Sequence, residues 1–259
     1  MKTVAINSIK GGTGKSTLSI LLVNALAGAS YKVLVLDTDA SNNSLSFHFS
    51  EGIAYETVQE RNIFNVFLGG PTSSVAENAI AVTDHIDLIH GDVRLNEFRS
   101  TDSIKRLKRA LQSLAYDFCI IDTAPTYDNI VGNVLTASDV LLVPVQQDVF
   151  SYQALRYQFE KLADLELDTL DTHIVFNQFE APRTENQSTY RNQITNMLLE
   201  DEVFKPFINP NRISRSSVYR KYINRQNYRI DEKADTQKCF GEVKGLVQSV
   251  FGVIIKEAV

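Results

Sequence analysis

Residues 10–17 read Lys-Gly-Gly-Thr-Gly-Lys-Ser-Thr, between an apolar strand-like run at 3–7 and an apolar helix-like run that begins near Lys15. Gly11, Gly12 and Gly14, with Thr13 among them, stand between two lysines. Glycine tolerates backbone angles that turn successive N–H groups inward on phosphate oxygens, and a helix start behind them adds favourable dipole charge. From its place in such a loop Lys15 reaches the β- and γ-phosphates of a nucleotide, while the Ser16 hydroxyl, followed by Thr17, is placed to ligate Mg²⁺. The ordinary phosphate-loop pattern wants a glycine where this chain has Ile9. Lys10 stands at the mouth of the loop instead. A lysine in a glycine turn is by default a solvated charge, but two lysines bracketing three glycines at a strand-to-helix junction point to nucleotide binding.

Such a loop needs a sheet edge to hold it. Apolar, β-branched runs at 32–37, 84–90, 118–121, 140–145 and 173–176 read as strands. Helical patterns fall between and after them, at 102–115, 152–165, 188–199 and 236–256, with a short helix ending near 62–68. The 102–115 pattern rests on Ile104, Leu107, Leu111 and Leu114. Alternating strands and helices predict an α/β fold, a single doubly wound, mostly parallel sheet with helices on both faces. No repeat, low-complexity linker or composition break divides the chain, so one domain over 1–259 is expected.

In open α/β sheets ligands lie beyond the carboxyl ends of the strands, and two further strands end there in carboxylates. Asp122 closes the buried run 118–121, where an acidic residue can hold Mg²⁺. The run 32–37 ends in Asp37-Thr38-Asp39, and strand alternation places both aspartates on one side. Asp39, further into the loop, is expected to position an attacking water, and Asp37 to support the metal end. A strand-terminal aspartate is more often a turn former or helix cap; the phosphate loop tips these toward function.

Residues 10–17, 33–39 and 118–125 together resemble the deviant Walker A loop, the following aspartate switch and the Walker B segment of the ParA/MinD family, and most of all its small Soj-like partition ATPases. The similarity continues more weakly through 137–144 and into 173–177. The resemblance implies an ATPase that uses ATP and Mg²⁺, slowly and under stimulation by a partner. It implies a homodimer that sandwiches two nucleotides, in which Lys10 reaches the partner's phosphates, and an adenine contact at Asn177. It further implies a cytoplasmic, nucleoid-associated protein that works with a ParB-like or other adaptor on DNA. Two positions depart from the pattern: 40–43 read Ala-Ser-Asn-Asn where many members have Pro-Gln-Gly-Asn, and Ala124 stands where proline is common.

Composition narrows what such a switch would act on. A net charge of −5 argues against nucleic acid at first sight. Between Glu202 and Asp231, however, there is no acidic residue and there are seven basic ones, which leaves 19 basic against 31 acidic side chains elsewhere. Arg215, Arg220, Arg225 and Arg229 are the candidate DNA contacts, interleaved with Tyr219, Tyr222 and Tyr228 and suited to phosphate backbone rather than base edges. The bland alternative is a solvated face whose arginines pair with acidic neighbours. The resemblance favours DNA, because the corresponding region of ParA-like proteins makes nonspecific DNA contacts. With the glycine loop only nine residues from Met1, no N-terminal helix-turn-helix is expected.

The alternative reading, a MinD-like membrane-associated positioning ATPase, asks for a basic amphipathic helix at the end of the chain. Residues 241–259 are apolar at Val243, Leu246, Val247, Val250 and Phe251 but balanced in charge, so packing on the core, and no membrane contact, is expected. A tyrosine-kinase relative is disfavoured because 229–259 hold no tyrosine. Cys119, inside an apolar run, suits a buried small hydrophobe better than a cluster ligand. Lys2, Lys10 and Lys15 ahead of 18–29 imitate a secretory leader, but Ser19 and Asn24 interrupt the apolar run.

Overall fold

A computed structural model of the chain describes residues 1–42, 44–69, 74–99, 103–181, 189–224 and 234–255. Among the described residues there are eight strands: β1 Lys2–Ile6, β2 Val33–Asp37, β3 Ile80–Thr83, β4 Ile86–Ile89, β5 Phe118–Asp122, β6 Val140–Val145, β7 Asp171–Phe179 and β8 Ile213–Ser214. They form one sheet in the order β3-β4-β2-β5-β1-β6-β7-β8. Among the described residues every strand pairing is parallel except that of edge strand β3 with β4. The α/β, mostly parallel, doubly wound sheet expected from the sequence is the fold observed.

Helices cover both faces. They are α1 Lys15–Gly28, α2 Ser44–Phe49, α3 Tyr55–Glu60, α4 Ile63–Leu68, α5 Val75–Asn78, α6 Arg106–Ala110, α7 Asn129–Ala137, α8 Val149–Asp164, α9 Thr189–Glu200, α10 Ser217–Ile223 and α11 Ala234–Phe251. Strand alternation divides the core in two. Val4, Ile6, Val33, Val35, Phe118 and Ile120 face one layer, packed with apolar residues of α1, α2, α10 and α11. Ala5, Leu34, Leu36, Cys119 and Ile121 face the other, against α4, α7, α8 and α9. The central strands are buried on both sides, which is why they read as continuous apolar runs.

The strand order positions the site. Because β5 lies between β1 and β2, Asp122 stands opposite both Ile6 and Asp37 in register. The glycine loop leaving β1 and the two aspartate-bearing ends therefore open on one stretch of sheet edge. No helix among the described residues is long and apolar enough to cross a membrane.

Some expectations change. The helix expected over 102–115 is confined to Arg106–Ala110. The Asn133 side chain of α7 accepts the backbone N–H groups of Arg106 and Leu107 and fixes the start, while left-handed Ser113 (φ 62°) bars continuation. Edge strand β3 and two-residue β8 are too short to show as periodic runs. The apolar stripe of the last helix lies in the core: Val243, Leu246, Val247, Val250 and Phe251 are all buried.

That packing gives a direct test. Leu246 is fully buried beneath α1, so Leu246→Ala should cost roughly 2–5 kcal/mol of unfolding free energy, read from urea melts. A cost under about 0.5 kcal/mol would mean that α11 does not share the main core.

Candidate nucleotide and metal site

The loop is shaped by two left-handed glycines. Gly12 has φ 76° and Gly14, the residue before α1, has φ 85°. Position 14 is also closed sterically, because an added Cβ would lie 2.5 Å from Asn177 Nδ2. Thr13 between them is fully buried, its hydroxyl turned toward the Lys10 carbonyl. Amides brace the loop from behind: Asn177 Nδ2 donates to the Thr13 carbonyl at 2.7 Å, and Gln146 Nε2 and Gln178 Nε2 both donate to the Gly12 carbonyl, at 3.0 and 3.1 Å. With these carbonyls held outward, loop N–H groups are left to face a ligand.

Lys15 is buried, its ammonium 3.3 Å from the Ser8 carbonyl. Burial lowers its pKa from the ordinary lysine value, opposed by the charges of Asp122 and Asp39. Asp37 and Asp122 are fully buried neighbours across β2 and β5. Burial raises the pKa of Asp122 to about 7, reinforced by Asp37, and that of Asp37 to about 6 against the hydrogen bonds it accepts.

The two carboxylates are satisfied differently. Asp37 Oδ1 accepts the Asp39 N–H at 3.0 Å, and Oδ2 accepts both the N–H and the hydroxyl of Ser46 at 2.8 Å. Ser46 Oγ in turn accepts the Gly91 N–H, tying α2 to the end of β4. Asp37 thus organises the loop after β2, a task that its expected support of a metal did not include. Asp122 Oδ1 accepts the Ser19 hydroxyl at 3.2 Å, whereas Oδ2 is buried with no hydrogen-bond partner. An orphaned buried carboxylate oxygen is costly, and a cation near it would remove the cost. Asp39 accepts the Ser41 N–H and lines the cleft, as do Lys15, Ser16 and Thr17.

That cleft has a volume of about 1270 Å³ and runs from the glycine loop past α2 to Ile223 and Asn224 at the end of α10. Two left-handed glycines, a buried lysine and an unmatched carboxylate oxygen suit a triphosphate with its Mg²⁺: Gly11, Gly12, Thr13, Gly14, Lys15 and Thr17 would hold the phosphates, Ser16 and Asp122 the ion.

Other expected residues lie elsewhere. Lys10 does not project freely from the mouth of the loop; its ammonium is on Gln146 and Asp148. Asn177 is 4% exposed, and its amide braces the loop. Arg215 pairs with Glu180, which also holds Arg191. Arg220 is exposed on α10, and Arg225 and Arg229 lie outside the described residues. Tyr219 is buried, its hydroxyl on Glu242 and the Cys239 carbonyl, and Tyr222 packs edge-on to Phe240, so neither is a platform for a base. Cys119 is wholly buried, which raises its thiol pKa.

Sequence reasoning missed Ser46, Ser19, Gln146 and Gln178. Ser19 alone carried a signal, sitting one helical turn after Lys15.

The carboxylate pair has a consequence for stability. The folded, metal-free protein keeps protons on Asp37 and Asp122 to higher pH than the unfolded chain does, so its stability should fall as pH rises from about 4 through about 7. In EDTA the Tm should drop by roughly 5 °C or more between pH 5.5 and 8, and Asp122→Asn should flatten most of the drop. An unchanged slope in that variant would remove the pair as its cause.

The geometry agrees with comparison to known proteins. A family model described as an AAA domain matches residues 1–174. The virulence plasmid ParA family protein pGP5-D of Chlamydia psittaci is 34% identical over 202 residues, 73% of this chain and 74% of that protein. The sporulation initiation inhibitor protein Soj of Bacillus subtilis is 31% identical over 163 residues, 60% of this chain and 62% of that one. A plasmid partition protein of Borrelia burgdorferi bound to AMPPNP superimposes with a TM-score of 0.78 at 23% identity, over 96% of this chain and 99% of that one, a likeness of fold. The chain belongs to the ParA family of partition ATPases.

Proposed function

We propose that this ATPase is a switch that dimerises on ATP, holds DNA without regard to sequence, and positions DNA or other cargo together with an adaptor. The observation that carries the reading is the buried Lys15 between left-handed glycines and the unmatched oxygen of Asp122. ATP is the substrate. Loop N–H groups and Lys15 offset the phosphate charge as it builds during transfer to water. Mg²⁺, held by Ser16 and Asp122, would neutralise phosphate oxygens when bound. Asp39, on the cleft wall, accepts a hydrogen bond from the attacking water and aligns it. Asp37 keeps Asp39 in place by accepting its N–H, and α2 by accepting from Ser46.

Pairing follows from Lys10, whose charge would neutralise the nucleotide of a facing copy. Loss of the γ-phosphate removes the charge that Lys10 answers, and the pair separates. Hydrolysis is slow on its own and quickened by the adaptor, which lets the paired state last. DNA contact falls to Arg215 and Arg220, with Arg225 and Arg229 as further candidates. Because α10 ends in the wall of the nucleotide cleft, its basic residues are placed to follow the nucleotide state. Two such faces on a dimer multiply weak phosphate-backbone contacts through effective concentration.

Two outcomes test the proposal. Retention on random-sequence DNA should be strong with ATP or AMPPNP, weak with ADP, and should fall steeply as salt rises; equal retention with ADP would sink it. Lys15→Ala should lose ATP binding by tenfold or more, about 1.4 kcal/mol, while Asp39→Ala should bind ATP but stay on DNA without turnover. Normal turnover in the Asp39 variant would strip that residue of its role.

A further inference from the structure

Lys10 is held on its own chain by a built receptor. Its ammonium lies 2.7 Å from Asp148 Oδ2 and 2.5 Å from Gln146 Oε1, and the side chains of the ion pair are 21% and 29% exposed. Neither partner is a passing surface group. Asp148 caps α8, where its Oδ1 accepts the Ser151 N–H at 2.9 Å and its Oδ2 the Ser151 hydroxyl at 3.3 Å. Gln146, at the end of β6, is tied by its Nε2 to the Gly12 carbonyl. The receptor is therefore assembled from the sheet edge, a helix cap and the glycine loop before any second chain arrives.

A side chain turned onto Asp148 is not directed at a facing copy. We infer that Asp148 and Gln146 are positioning residues that dock Lys10 in cis, and that competition between this dock and the phosphates of a facing copy sets the ATP level at which two chains pair. The inference rests on the reading of Lys10 as a group that acts across the dimer. Physically the competition is even enough to be adjustable. A partly exposed ion pair is worth little by itself, and the second, charge-assisted bond to Gln146 adds to it. The phosphates of a facing nucleotide offer more charge, but only once that nucleotide is present. Two docks open for each dimer formed, so a small bias per chain acts twice.

The test is the AMPPNP concentration for half-maximal dimer, measured by light scattering on the full chain. Asp148→Asn and Asp148→Ser keep a side-chain oxygen that can cap α8 but remove the charge that holds Lys10. Each should lower the concentration needed by roughly two- to fivefold per chain, the range expected of an exposed pair. Asp164→Asn removes the same charge from the far end of α8 and should leave it unchanged, which separates docking from general repulsion between copies. A merely structural role for Asp148 would raise the requirement or leave it alone, and either result overturns the inference. Lys10→Ala separates the two levels of the argument. If it prevents pairing while the Asp148 variants behave as wild type, only the docking idea falls. If it pairs normally, the reading of Lys10 across the dimer falls and docking with it.

Discussion

Two carboxylates and one ammonium, all withdrawn from water at one sheet edge, set the terms for the rest of this molecule. Asp37 and Asp122 are fully buried and adjacent in register, and Lys15 is nearly so. Burying like charges side by side is unfavourable unless each is answered by a proton, a donor or a counter-charge. Asp37 is answered by three donors, two of them from Ser46. Asp122 is answered only in part, by the Ser16 and Ser19 hydroxyls and the nearby charge of Lys15. The fold thus places its satisfied carboxylate at the end of β2 and its unsatisfied one at the end of β5, near Lys15.

The topology makes this arrangement possible. A parallel sheet brings strand ends to one edge regardless of their separation along the chain, and inserting β5 between β1 and β2 puts the loop and Asp37 each one strand spacing from Asp122. The cores on either face then fix the strands: the same alternation that buries Val33 and Val35 toward α1 and α11 buries Leu34 and Leu36 toward α7. Site geometry is in this sense a by-product of core packing.

Much of this could be read from the residues. The glycine loop, the aspartates and the central strands have local signatures, because a phosphate cradle needs glycine at left-handed positions and a strand buried on both faces must be apolar throughout. What escaped reading depends on contacts between distant segments. The braces at Gln146 and Gln178 are ordinary polar residues until the ends of β6 and β7 bring both amides to the Gly12 carbonyl. The 102–115 helix looked long because Ile104, Leu107, Leu111 and Leu114 keep helical spacing; the Asn133 cap and the left-handed Ser113 that shorten it are set by the fold around them. Tyr219 reads in sequence as part of the basic patch, but the fold draws its hydroxyl inward onto Glu242.

Bracing of the loop by amides from β6 and β7 has a bearing on biosynthesis. The groups that stiffen the glycine loop, at 146, 177 and 178, are translated 134 to 166 residues after the carbonyls they hold. Until those segments join the sheet the loop lacks the bonds that hold its carbonyls outward, so its final shape is set late in chain growth.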